Sequence, residues 1–132
     1  MTNKEIYDAA LRMVGEVSDV GLNEDYKSRA DYLLPAACAK SAGADRAFRL
    51  AHGLEPQTLP EGMCYEPGEV FPLSAVFATA VAAELASLLV LGESPAMSDR
   101  LHQRSQEAEE EILRSLPFRR ESIVSVYGDT QL

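Results

Sequence analysis

Glu84 lies near the middle of an otherwise apolar run, Leu73 to Leu91, and its setting demands a chemical explanation. A carboxylate taken out of water must be paired, hydrogen-bonded or protonated. On a helical wheel stepped at about 100° per residue it shares a face with Phe77, Ala80, Leu88 and Leu91. Two readings follow from that face. One is an ion pair with an arginine of another helix (Arg29, Arg46, Arg49 or Arg104), and the other is an ion pair across a subunit interface. An isolated general base ranks last.

The remaining reactive residues form no recognisable site. Cys38 and Cys64 lie 26 residues apart, which matches no zinc-ligand spacing, and neither His52 nor His102 supplies a ligand pair. His52 sits beside Gly53, where a helix-end role suffices. His102 falls among Arg100, Gln103 and Arg104 and reads as a solvated side chain. The acids Glu107, Glu109, Glu110 and Glu111 crowd one helix, yet consecutive helical residues point about 100° apart and cannot converge on one ion. A solvated face, or a rim meeting arginines of a neighbouring copy, accounts for them. No glycine-rich phosphate loop, H-E-x-x-H, G-x-S-x-G or C-x-x-C occurs. The expectation is a protein without catalytic residues, cofactor or metal.

Helices must position these residues. Thr2 and Glu5 form a capping-box pattern ahead of Ile6, Ala10, Met13, Val14 and Val17, with Gly15 or Gly21 as the stop. A second helix is expected from about Asn23–Asp25 to His52, ended by Gly53, with Ala30, Leu33, Ala37, Ala44 and Phe48 on one stripe. Pro35 lies opposite that stripe and should kink the helix, and Gly43 is a second weak point that would allow two shorter helices. A third helix should run from about Pro72 to Leu91 with Gly92 as its C′ residue. It is apolar all round and must be covered, either within one domain or between subunits. The last helix opens at Ser94 with Pro95 in its first turn, shows Met97, Leu101, Ala108, Ile112 and Leu116 on one side, and ends at Pro117.

The expected fold is therefore all-α, a single domain of four to five helices over residues 1–132. Residues 53–72 hold four prolines and three glycines, which marks a long loop before the Ala-rich helix. Tyr65 and Phe71 are either anchors of a lid over the bundle end or the aromatic tip of a projection that docks on another protein. Residues 118–132 read as a short extended arm. Its Ile123, Val126 and Tyr127 either cover the bundle or add a strand to a partner. Glu84, Tyr65, Phe71, Ile123, Val126 and Tyr127 are the candidate interface residues.

Charge sharpens the picture. The chain carries 21 acidic and 12 basic residues, a net charge of −9, which excludes a general phosphate-backbone binder. Residues 53–93 contain six glutamates and no Lys or Arg, so most of the imbalance lies in one stretch. Leu73–Leu91 is 19 residues long, near a membrane span, but Glu84 and six alanines make a buried core helix the better reading. The start of the chain shows no apolar signal region, so a soluble protein made in the cytoplasm with reduced cysteines is expected.

Taken in order, these pieces resemble small phage and prophage head-to-tail connector (adaptor, virion-neck) proteins. The resembling segments are Tyr26-Lys27-Ser28-Arg29-Ala30, Phe71-Pro72-Leu73-Ser74 before an Ala-rich helix with Ala82-Ala83-Glu84-Leu85-Ala86, a charged helix, and Val126-Tyr127-Gly128. The resemblance implies a structural protein that gathers as a ring beneath the portal and contacts portal and tail proteins. It would be found in the bacterial cytoplasm and then in the virion, with no sequence-specific nucleic-acid binding and no membrane. A cytoplasmic helical protein-interaction or regulatory module is the alternative.

Overall fold

A computed structural model of the chain describes residues 1–15 and 20–117. It contains α1 (Asn3–Gly15), α2 (Val20–Ala51), a single 3-10 turn (Ala75–Phe77), α3 (Ala78–Val90) and α4 (Pro95–Arg114), with no strand among the described residues. The expected C-terminal arm, including Ile123, Val126 and Tyr127, lies outside them.

α3 is the centre of the molecule. Ten of its residues are buried, and α1, α2 and α4 all pack on it, α4 most extensively. The covering that its all-round apolar surface requires therefore comes from its own chain. The core they share includes Ile6, Tyr7, Ala10 and Val14 of α1, Ala30, Leu34, Ala37 and Cys38 of α2, and Leu101 of α4. α3 starts later than its sequence suggests. Phe71 and Leu73 are buried in irregular chain, and the 3-10 turn intervenes before Ala78. Gly92 is not its left-handed cap either, since among the described residues only Gly53 and Gly62 have positive φ. Instead the Glu93 and Ser94 amides both donate to the Val90 carbonyl.

Three helix ends follow their local signals. Glu5 Oε2 accepts the Thr2 amide at 3.0 Å, and Ser94 Oγ accepts the Met97 amide at 3.2 Å with Pro95 in the first turn. Gly53 ends α2 at φ 72°, the Gly53 amide bonding Leu50 O at 3.1 Å and the Leu54 amide bonding Arg49 O at 2.7 Å. Those two bonds are the paired pattern of a Schellman cap, which needs the left-handed residue only glycine adopts freely.

α2 runs as the single helix expected, through Pro35 and Gly43, but it departs from expectation in its start, at Val20, and in its buried face. Its buried line is Tyr26, Ala30, Leu34, Ala37, Cys38, Ser41 and Asp45, whereas Leu33, Ala44 and Phe48 are only partly covered. The apolar stripe and the buried stripe differ because polar residues are satisfied inside. Asp45, for instance, accepts the Ser74 amide at 3.0 Å, ahead of the 3-10 turn.

The 53–72 loop has no regular element, but backbone bonds tie it down. The Asn3 amide donates to Glu69 O and the Lys4 amide to Pro67 O, both at 2.9 Å. Loop carbonyls thus satisfy amides that the first turn of any helix leaves without partners. The Phe71 amide donates to Met1 O at 3.0 Å, and the Tyr65 amide to Asp31 O on α2 at 2.9 Å.

Candidate functional site

The candidate residues sort into a helical ladder, a loop surface and two grooves. In the ladder, α3 and α4 run antiparallel, joined by the four residues between Val90 and Pro95. Ser87 and Ser98 exchange bonds, each hydroxyl donating to the other residue's carbonyl at 2.8 and 2.9 Å. One heptad away, Ser105 Oγ donates to Ala80 O at 2.7 Å. Small side chains at both rungs let the helices approach closely enough for hydroxyls to reach the facing backbone.

Glu84 and His102 form the rung between them, with His102 Nδ1 2.7 Å from Glu84 Oε1. This replaces the arginine partner expected on another helix of the chain with a histidine of α4. Arg29 instead donates to Leu89 O at 3.0 Å, in the last turn of α3, where a cation offsets the helix dipole, and it pairs with Asp25 at 3.1 Å. Arg49 is drawn to Glu55 O and Ser74 Oγ, and Arg46 and Arg104 are exposed. Nor is His102 merely solvated: its ring is half exposed, but one nitrogen anchors a carboxylate whose residue is only 8% exposed. Only the packed helices reveal this partner. Pairing Ser87 with Ser98 and Ala80 with Ser105 fixes the antiparallel register, and that register brings His102 opposite Glu84.

A second polar cluster joins α2 to α4. Glu109 Oε2 lies 2.8 Å from Lys40 Nζ and accepts Ser41 Oγ at 2.6 Å, while Lys40 also reaches Ser105 Oγ at 3.1 Å. Glu109 therefore turns inward, away from its exposed neighbours Glu107, Glu110 and Glu111. A wheel separates these acids but cannot say which one meets a lysine.

In the loop, Tyr65 and Phe71 are each 4% exposed. Tyr65 donates its hydroxyl to Pro60 O at 2.8 Å, and its carbonyl accepts the Tyr7 hydroxyl. These aromatics are anchors and present no aromatic tip. What the loop does present is Met63, 84% exposed, Val70, 73% exposed, the half-exposed Leu54, and the exposed acids Glu55, Glu61, Glu66 and Glu69.

The first groove, about 290 Å³, opens between α1 (Lys4, Tyr7, Asp8, Leu11), α2 (Lys27, Ala30, Asp31) and Pro67. Its Lys4 and Asp8 pair with each other at 2.9 Å. Burial, and then the Asp31 carboxylate, push the Tyr7 hydroxyl well above the usual tyrosine range, so it stays protonated. The second groove, about 440 Å³, lies between α1 and α4 and is lined by Ala9, Arg12, Met13 and Arg104. Nothing in the sequence pattern pointed to it, because its two arginines are 92 positions apart and meet only through the fold.

Among the described residues no group of three or more His, Cys, Asp or Glu side chains could hold a metal ion. Burial pushes the Cys38 thiol up to about 12, which removes its nucleophilic thiolate at neutral pH. Tyr26 is likewise pushed up to about 12, by burial and by its hydroxyl's bond to Glu93, with Arg29 opposing. No helix of the described residues is long and apolar enough to cross a membrane. Comparison with known protein families, curated proteins and solved structures finds no match for this chain.

Proposed function

We propose that the chain is a structural, non-catalytic assembly protein of a phage or prophage particle, a head-to-tail connector that oligomerises at the portal. The observation that carries this reading is the loop. It displays four glutamates and three large apolar side chains, Leu54, Met63 and Val70, to solvent with no base in the segment, yet backbone bonds fasten it to α1 and α2. An ordered acidic and apolar projection loses little entropy on docking, which suits a permanent contact with a basic protein surface. The order of segments resembling virion-neck proteins supports a position beneath the portal beside tail proteins, and with it residence in the host cytoplasm before the virion.

Mixing the purified chain with portal rings is the direct test. A complex of defined stoichiometry, seen by mass photometry, is the expected result, and absence of binding at low salt rejects the connector. One observation favours the second reading, a cytoplasmic interaction or regulatory module. α3 is covered by its own chain, so the core is complete without neighbours. A chain that ignores portal rings but forms a stoichiometric complex with a basic host protein supports that reading.

A further inference from the structure

Arg12 and Arg104 reach the same groove from different helices, and both are exposed. Neither has an ion pair with any of the described residues. Two guanidinium groups facing one groove repel each other, and a carboxylate placed between them relieves that repulsion. Among the described residues the rest of the groove's lining, Ala9 and Met13, is apolar. The ligand chemistry that fits is therefore an apolar side chain flanked by acids.

The chain itself displays such a segment. Met63 is 84% exposed, and Glu61 and Glu66 on either side of it are exposed too. Gly62, at φ 142°, takes a backbone geometry that side-chain-bearing residues rarely adopt, and it lies between Glu61 and Met63. The loop is fastened on a different flank of its own molecule, since Lys4, Asp8 and Leu11 line the loop-side groove and Ala9, Arg12 and Met13 the other. On the α1 wheel those two sets are about 120° apart.

We infer that the Glu61–Met63–Glu66 tip of one copy docks in the Arg12/Arg104 groove of a second copy. Met63 lies against Ala9 and Met13, and the glutamates face the arginines. Because the two surfaces differ, the contact is head-to-tail, and repetition closes a ring or extends a filament. The inference rests on the oligomerising connector reading and names the contact that joins its copies.

The test is sedimentation velocity of the full chain over a range of concentration and salt. The wild type should self-associate with concentration, and the association should weaken as salt rises. The pair R12E/R104E and the pair E61K/E66K should each lose at least about tenfold in self-affinity while keeping wild-type helical circular dichroism. Mixing the two charge-reversed proteins should restore association, because each then offers what the other lacks. A wild type that stays monomeric at every concentration overturns the inference. So does self-association indifferent to all four substitutions, or binding of inorganic phosphate in the groove without self-association. Portal binding is scored separately. Self-association with rescue but no portal complex rejects the connector alone, and a portal complex from a chain that never self-associates rejects the loop contact alone.

Discussion

The base-free stretch from residue 53 to 93 contains two regions that treat the same charge in opposite ways. In the loop the glutamates face water, and the chain is held by Tyr65, Phe71 and backbone bonds to α1 and α2. In α3 the lone glutamate is buried and answered by His102 across an antiparallel pair of helices. Regular structure satisfies its own backbone, so α3 needs side-chain partners only for what it buries. Irregular chain must borrow donors and acceptors from elsewhere, so the loop's order depends on the start of α1.

Substitutions at the two regions should separate these two modes of support. The largest effect is expected from Leu85→Ala in α3, where a fully buried side chain is removed. A loss of about 2–5 kcal/mol in urea unfolding is expected, and a smaller loss would mean that α3 is less tightly enclosed. Tyr7→Phe comes next, because it takes the hydroxyl from the buried Tyr65 carbonyl. The expected loss is about 1–3 kcal/mol, accompanied by faster hydrogen exchange in the loop than in α3.

Glu84→Gln tests the ladder. It keeps an acceptor for His102 and removes the charge, so about 1 kcal/mol or less should be lost, read as a small fall in melting temperature. An unchanged melting temperature would show that the two serine rungs suffice alone. Tyr26 gives a pH dependence. Its folded pKa is raised from 10.0 to about 12, so its contribution is complete below pH 10 and disappears as pH climbs from 10 to 12. Tyr26→Phe should flatten the stability profile in that window. The smallest effect belongs to Glu61→Lys at the exposed loop, within about 0.5 kcal/mol of wild type.

Much of the architecture was legible because it depends on neighbours a few residues apart. Ser94-Pro95, Thr2 with Glu5, and Gly53 mark helix ends through local hydrogen bonds and one left-handed residue. Pro35 and Gly43 left one helix or two open, and the chain keeps one because packing against α1, α3 and α4 offsets their local penalties. The loop's capping of α1 left no mark at all. It is made by carbonyls of Pro67 and Glu69, a group every residue carries. The groove at Arg12 and Arg104 was equally hidden, since neither residue is unusual on its own helix.

The sequence by itself determined the helical class, most helix ends, the irregular loop, and the concentration of negative charge in one stretch. Tertiary structure alone decided which face of α2 is buried, that His102 answers Glu84, that Glu109 turns inward, and that the loop acids face outward. The reason is range. Helix formation and capping act between residues up to about four apart, whereas partnership of buried charges depends on the register of packed helices. That register follows from fitting small side chains together across an interface that no short window of sequence contains.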